Sequence, residues 1–138
     1  MCFVLLIQVS IFIYAQENIP TVTDVFQKGQ DEYACFRIPA IVQSKTGILL
    51  AFAEARKNSC SDTGDIDLIL KRSEDGGRTW SKMITVWDDG DNVCGNPTPI
   101  IDQTNGRILL ISCWNSGKDH EKEIIDQTSK DTRRVFML

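Results

Sequence analysis

The chain has 138 residues, a formal net charge of −4, 42% hydrophobic residues and 25% charged residues. These fractions are typical of a folded globular protein and exclude a disordered chain. The acidic balance argues against a nucleic-acid partner, because replacing the counterions around phosphates requires a basic surface. A small anionic ligand remains compatible with the composition, since a few arginines can bind one carboxylate whatever the net charge is.

The chain begins with an apolar segment, residues 2–15, that contains no charged residue. This segment resembles the hydrophobic region of a secretory signal with cleavage after Ala15, and it is too short to span a bilayer. A buried first strand is the alternative. We expect residues 1–15 to be a signal peptide, residues 16–35 to be a lead-in, and the protein to be secreted, periplasmic or located at the cell surface.

Four cysteines follow the predicted signal peptide: Cys35, Cys60, Cys94 and Cys113. An even number of cysteines in a secreted chain permits disulfides, but four cysteines allow three pairings and the sequence does not select one. The close C-x-x-C spacing of zinc sites does not occur among them. We therefore expect neither a metal nor another cofactor.

Four strands are predicted next, over residues 36–43, 48–55, 65–72 and 79–87, each separated from the next by polar turn residues. The last two flank the octet Ser73-Glu74-Asp75-Gly76-Gly77-Arg78-Thr79-Trp80. Its glycines permit positive φ angles, and its aspartate can accept hydrogen bonds from the backbone N–H groups that follow. The pattern predicts an antiparallel meander whose last two strands form a hairpin.

A second, incomplete unit follows. Residues 39–44 match residues 99–104 in proline, isoleucine and glutamine at an offset of 60, and residues 47–50 match residues 106–109. Strands are predicted over residues 97–102, 107–114 and 133–138. The repeat indicates an all-β fold, namely the first blade (about 36–87) and part of the second (about 97–138) of a β-propeller. Because one and a half blades would expose strand edges, we expect the chain to be a fragment.

The topology of such a blade separates two ends. The start of the first strand and the loop between the second and third strands lie at one end, and the hairpin turn lies at the other. Candidate ligand-binding residues therefore gather at the first end: Arg37, Arg56, Asn58, Asp62, Asp65, Asn96, Trp114 and the charged segment 116–131. Three alternatives stay open: Arg37 can be solvated, Glu54 can pair with Arg56, and Asp65 or Asp67 can take the place of Asp62.

Several motifs occur together and in order between residues 33 and 138. They are Phe36-Arg37-Ile38-Pro39-Ala40-Ile41, Ala53-Glu54-Ala55-Arg56, Ser61-Asp62, the octet 73–80, Asn96-Pro97 and Arg133-Arg134-Val135-Phe136. The octet resembles the Asp box of sialidases and some other β-propellers. Together the motifs resemble the amino-terminal part of a secreted exo-α-sialidase.

The resemblance implies a six-bladed propeller that cleaves terminal α-linked sialic acids with retention of configuration, using a tyrosine nucleophile. It implies that Arg37 is one of three arginines that bind the substrate carboxylate and that Asp62 is the general acid/base. Arg56 and Asn96 match positions around the ring substituents, and Trp114 would wall the N-acetyl pocket. The Asp box, with Ser73, Asp75, Gly77, Thr79 and Trp80 at its defining positions, would be structural.

The expected partners are sialylated glycans, on glycoproteins, glycolipids or oligosaccharides. The tyrosine nucleophile, its glutamate and the other two arginines have no counterpart in this sequence, and neither Tyr14 nor Tyr33 is placed to substitute for the nucleophile. We therefore expect the 138-residue chain alone to be inactive. A non-catalytic sialic-acid-binding propeller is the alternative function, and an Asp-box protein of purely structural role is a third.

Overall fold

The computed structural model describes residues 22–138, so the predicted signal peptide lies outside the described residues. Seven strands and one short helix follow one another in this part of the chain: β1 (Cys35–Gln43), β2 (Leu49–Arg56), β3 (Ile66–Ser73), β4 (Ile84–Trp87), β5 (Val93–Ile101), β6 (Ile108–Asn115), α1 (Glu121–Ile125) and β7 (Arg134–Met137). Over this range, no helix has the length and apolar character needed to cross a bilayer.

The strands form two antiparallel meanders. Strands β1 to β4 pair in sequence order, as do strands β5 to β7. One parallel bridge, between Ile66 at the start of β3 and Val93 at the start of β5, joins the meanders into a single seven-stranded sheet. The predicted meander and its incomplete second copy are therefore both present.

Two predicted elements differ from the observed ones. Strand β4 begins at Ile84 rather than at residue 79, because the N–H groups of Arg78 and Thr79 bind the Asp75 carboxylate instead of a neighbouring strand. Helix α1 lies in the charged segment 116–131, for which no helix was predicted. The backbone N–H of His120 donates to the Glu123 carboxylate at 2.9 Å, an interaction that favours a helix start.

The first strand of each meander is interrupted at the same point. Pairing shifts between Arg37 and Ala40 in β1 and between Gly95 and Thr98 in β5. A proline, which cannot donate a backbone hydrogen bond, lies in each interruption. The interruptions align Pro39 with Pro97, so the predicted match of Pro39 with Pro99 is wrong by two residues.

The residues that precede these prolines have an unusual backbone conformation. Ile38 has φ of 52° and Asn96 has φ of 55°. Asparagine tolerates this left-handed region, whereas a β-branched residue rarely enters it. Local irregularities of this kind redirect neighbouring side chains. The interruption in β1 directly follows Arg37, and that in β5 contains Asn96.

Two hydrophobic clusters cover the two faces of β2. The first lies between the meanders and contains Leu50, Phe52, Leu68, Cys94, Leu110 and Trp114. The second contains Tyr33, Ala53, Ala55 and Ile69 and is covered by residues of the lead-in and of neighbouring strands. Successive residues of a strand point to opposite faces, which explains the division. Strand β2 is therefore buried on both sides and holds its last residue, Arg56, in a fixed place.

The hairpin between β3 and β4 lies at the far end of the first meander. One oxygen of Asp75 accepts hydrogen bonds from Ser73 Oγ at 2.8 Å and from the Thr79 N–H at 2.9 Å, and the other accepts from Thr79 Oγ1 at 2.6 Å. These donors, those of Thr79 first, hold the pKa of Asp75 well below its usual range. Gly77 has φ of 90°, as its place in the turn requires. Trp80 is partly buried beside it.

Candidate functional site

Two arginines converge on Asp62. Arg37 Nη1 donates to Asp62 Oδ1 at 2.9 Å, and Arg56 Nη2 lies 2.7 Å from the same oxygen. The three residues come from β1, from the end of β2 and from the loop between β2 and β3. We call them the Arg37–Asp62–Arg56 cluster. The structure therefore brings together three residues that the sequence had singled out separately.

The members of this cluster differ in exposure. Arg56 is almost completely buried, whereas the side chain of Arg37 is 44% exposed and that of Asp62 is 77% exposed. Arg56 also organises the loop, because its Nη1 donates to the carbonyl oxygens of Cys60 at 2.8 Å and Ser61 at 2.7 Å. Arg56 is thus a buried support for the loop, while Arg37 and Asp62 present their charged groups to solvent.

Glu54 pairs with Arg56, as one of the open alternatives proposed. Its Oε2 accepts from Arg56 Nη2 at 2.5 Å and from Arg56 Nε at 3.2 Å, and both side chains are buried. Its Oε1 accepts the backbone N–H of Asn96 at 2.9 Å. Alternation along β2 places Glu54 and Arg56 on one face, so the sequence indicated this pair. The bond to Asn96 spans the two meanders and had no signal in the sequence.

A tight contact accompanies that bond. A Cβ atom at Gly95 would lie 2.4 Å from Glu54 Oε1, so the carboxylate occupies the space that a side chain at this position would need. Glycine therefore lets β5 approach Glu54 closely enough for the N–H of Asn96 to bind it. Asn96 is in this way positioned by a residue of the first meander.

These residues border a cavity of about 320 Å³. From the first meander, Arg56, Asp62, Ile38 and Glu54 line it. The second meander supplies Asn96 and, further along the chain, Asn115, two isoleucines of α1, Ile124 and Ile125, and Arg133. Ile124 and Ile125 belong to the segment 116–131 that the sequence placed at this end, although no helix was predicted there, and Arg133 had been noted only as part of a motif. Asn115 was missed and gave no signal in the sequence.

Trp114 does not line this cavity. It is buried in the cluster between the meanders, its Nε1 donates to Asp89 Oδ2 at 2.7 Å, and the guanidinium of Arg134 lies 4.5 Å from the centre of its ring. The expectation that Trp114 walls a ligand pocket is therefore corrected. Its side chain packs in the core because it lies on the face of β6 that meets Leu50 and Phe52.

The other two candidate aspartates are engaged elsewhere. Asp67 is buried and accepts a hydrogen bond from the hydroxyl of Tyr33, and Asp65 lies 3.1 Å from Lys57 Nζ. Burial raises the pKa of Tyr33 and also that of Asp67. Tyr33 and Asp67 lie on the face of β2 opposite the cavity, together with Ala53 and Ala55. Asp62 is therefore the aspartate that meets both arginines.

The four cysteines form one disulfide within residues 22–138, so none of the three complete pairings is present there. Cys35, the first residue of β1, forms a disulfide with Cys60 in the loop that carries Asp62. Cys94 and Cys113 are both unpaired within residues 22–138. In the same part of the chain, no three histidine, cysteine or acidic side chains are grouped so that they could hold a metal ion.

Comparison with known proteins identifies the family that the chain resembles. No family model matches the sequence. An exo-alpha-sialidase of Aspergillus fumigatus is 40% identical over 119 residues, which are 74% of this chain and 29% of that protein. A sialidase of Bacteroides fragilis is 32% identical over 103 residues, which are 68% of this chain and 19% of that protein. This chain resembles part of a sialidase.

The fold supports the same resemblance. The structure of the Hadza microbial sialidase Hz136 matches with a TM-score of 0.67 and 25% identity, covering 79% of this chain and 24% of that one. The NanB sialidase from Streptococcus pneumoniae matches with a TM-score of 0.63 and 21% identity, covering 69% and 18%. The predicted fold class, an all-β fragment of a propeller, is confirmed. The chain spans less than a third of the length of each of these relatives.

Proposed function

We propose that the protein containing this chain is an exo-α-sialidase, a glycoside hydrolase that releases terminal α-linked sialic acids from glycoproteins, glycolipids or oligosaccharides with retention of configuration. The observation that carries the proposal is the Arg37–Asp62–Arg56 cluster, in which Arg56 and Asp62 line a cavity of about 320 Å³ and Arg37 binds Asp62 without lining that cavity. The resemblance to proteins named sialidase supports it.

Arg37 is proposed to bind the carboxylate of the sugar. A guanidinium group is planar and can form two parallel hydrogen bonds to a carboxylate, which a lysine ammonium cannot do. The side chain of Arg37 is 44% exposed and already contacts a carboxylate, that of Asp62. A bound sialic acid would present a second carboxylate to the same guanidinium, and further arginines of the complete protein would share it.

Asp62 is proposed to be the general acid/base. Its carboxyl group is exposed and lines the cavity. It would first donate a proton to the leaving oxygen, and then accept one from the water that releases the sugar. The nucleophile would be a tyrosine outside this chain, since the hydroxyl of Tyr33 is bound to Asp67. The 138-residue chain alone is therefore expected to be inactive.

Arg56 and Asn96 are proposed to face the ring substituents, since both line the cavity. Arg56 has a second role. Because its donors are engaged by Glu54, by two loop carbonyls and by Asp62, its main contribution is to hold Asp62 in place. In the domain organisation that accompanies this proposal, residues 36–87 form one blade and residues 97–138 form part of the next in a six-bladed propeller. The secreted, periplasmic or cell-surface location is likewise part of the proposal.

The alternative is a propeller that binds sialic acid without hydrolysing it. Such a protein would retain Arg37 but would have no use for a proton donor. Substitution of Asp62 therefore separates the two functions, whereas substitution of Arg37 by lysine weakens both.

The test uses the full-length protein that contains this chain. For the Asp62→Ala variant, we expect kcat on a natural sialoside to fall by roughly 10²- to 10⁴-fold, the usual contribution of general acid–base catalysis, while affinity for sialic acid stays within a few-fold. The Glu74→Ala variant is the control, because Glu74 is an exposed carboxylate at the opposite end of the meander. If the wild type bound sialic acid without turnover, the alternative function would be favoured. A separate test concerns the 138-residue chain: if it hydrolysed a sialoside and Tyr33→Phe abolished that activity, the predicted inactivity of the chain would be wrong.

A further inference from the structure

The Cys35–Cys60 disulfide is placed symmetrically about the Arg37–Asp62 ion pair. Cys35 lies two residues before Arg37 on β1, and Cys60 lies two residues before Asp62 in the loop between β2 and β3. The register of β1 and β2 pairs Cys35 with Arg56 and Arg37 with Glu54. The cross-link therefore joins the strand and the loop immediately beside the point where their charged side chains meet.

The loop needs such a cross-link more than the strands do. Its two ends are held by backbone hydrogen bonds, from Lys57 to Asp65 at 3.1 Å and from Gly64 to Gly117 at 2.8 Å. Its middle, residues 58–62, is exposed. There the contacts with the strands are the disulfide, the two hydrogen bonds from Arg56 and the ion pairs of Asp62 itself. An exposed loop with few contacts samples many conformations unless a cross-link restricts it.

We propose that the Cys35–Cys60 disulfide is a positioning element for catalysis: it keeps Asp62 at the distance from Arg37 and Arg56 that proton transfer to the leaving oxygen requires. The inference rests on the proposed function, because it assigns the disulfide a role only if Asp62 is the general acid/base. A displacement of a catalytic group by about 1 Å can cost roughly 10²-fold in rate, so restricting the loop has a measurable consequence.

A positioning role differs from a purely stabilising one in how it depends on the substrate. A sugar leaving group needs protonation, because an alkoxide is a poor leaving group, whereas an activated phenol departs with little help from an acid. Loss of Asp62 alignment should therefore slow hydrolysis of a natural sialoside more than hydrolysis of an activated aryl sialoside. A general loss of folded protein would slow both equally.

The experiment compares variants of the full-length protein on both substrates, after peptide mapping has established the Cys35–Cys60 linkage. For the Cys35→Ser/Cys60→Ser double variant, we expect kcat/KM, which reports the step in which the leaving group departs, to fall by about tenfold or more on the natural sialoside and by less than about threefold on the activated aryl sialoside. The Asp62→Ala variant should show the same selectivity more strongly. Cys113→Ser, which alters a cysteine that is unpaired within residues 22–138, should leave both rates unchanged.

A second measurement covers the case in which the double variant does not fold. A dithiol reductant added to the folded wild type converts the disulfide to two thiols and is itself oxidised to a cyclic disulfide. The same substrate-selective loss should appear, and it should reverse on reoxidation. An equal loss on both substrates, no loss at all, or a different cysteine pairing would overturn the inference. Absence of turnover in the wild type, or an Asp62→Ala variant without substrate selectivity, would instead contradict the proposed function.

Discussion

The two meanders have the same interruption in the backbone of their first strand, but they carry different side chains beside it. In both, the pairing of the first strand is interrupted after its third residue, and the interruption contains a proline. The last pair before each interruption is Arg37 with Glu54 in the first meander, and Gly95 with Cys113 in the second. At the pair before the interruption, the first meander therefore carries charged side chains and the second carries small residues.

This difference shows how the candidate site is built. The buried carboxylate of Glu54 needs partners, and the second meander supplies one, the N–H of Asn96, because Gly95 leaves room for close approach. The first meander alone would leave this oxygen of Glu54 without that bond. The cavity is accordingly a property of the contact between the two meanders and of neither one separately.

The largest expected effect comes from removing the charge that joins the meanders. Glu54→Ala leaves the guanidinium of Arg56 buried without the carboxylate oxygen that accepts from its Nε and Nη2, which should lower the free energy of unfolding by about 3–5 kcal/mol. Gly95→Ala should lower it by about 1–3 kcal/mol in the wild type, because the new methyl group would overlap the carboxylate. Denaturant unfolding of the full-length protein measures both.

The Glu54→Ala/Gly95→Ala double variant tests whether the two losses of stability are coupled. Once Glu54 is replaced by alanine, the added methyl group at position 95 has space, so the two losses should not add. Glu74→Ala is the control and should change stability by less than about 0.5 kcal/mol, since Glu74 is exposed. Strictly additive losses for Glu54→Ala and Gly95→Ala would contradict the packing of the carboxylate against Gly95.

A smaller effect is expected from exchanging the residues that precede the two prolines. Ile38 adopts a left-handed conformation that suits asparagine better, so Ile38→Asn should stabilise the protein by about 1 kcal/mol, and Asn96→Ile should destabilise it by a similar amount. Thermal unfolding monitors both changes.

The matched control for this exchange is Ile41→Asn in the same strand. Ile41 is 59% exposed and has no positive φ, so asparagine should bring no gain there. If Ile38→Asn destabilised the protein as much as Ile41→Asn, the left-handed conformation at position 38 would not contribute to the difference in stability between isoleucine and asparagine.

The smallest effect at neutral pH is expected at the hairpin turn between β3 and β4, which lies at the end of the first meander opposite the Arg37–Asp62–Arg56 cluster. The folded state lowers the pKa of Asp75 below its ordinary value of 3.8, so the carboxylate stabilises the fold above that value and this contribution is lost as the pH falls further. The Asp75→Asn variant cannot lose a charge.

The measurement is the melting temperature as a function of pH. The difference between the wild type and Asp75→Asn should shrink steadily below about pH 5, where the wild-type carboxylate begins to take up protons more readily in the unfolded state. Asp24→Asn serves as the control for a change of one exposed carboxylate. A pH-independent difference would show that the hydrogen bonds of Asp75 do not depend on its charge.

Sequence alone was sufficient for the all-β class, the two meanders, the hairpin at residues 73–80 and the gathering of Arg37, Arg56 and Asp62 at one end. These features depend on local information: alternation along a strand, turn residues, and the direction in which successive antiparallel strands run. The resemblance to sialidases rests on the same motifs, because the order in which they occur along the chain can be read directly from the sequence.

The tertiary structure decided what depends on contacts between distant residues. It selected the Cys35–Cys60 pairing, bound Glu54 to Asn96, moved Trp114 from the expected pocket into the core, and added α1 to the cavity wall. Each of these outcomes depends on the distance between residues far apart in sequence. Composition and periodicity carry no information about such distances, so only the folded chain determines which residues share the site.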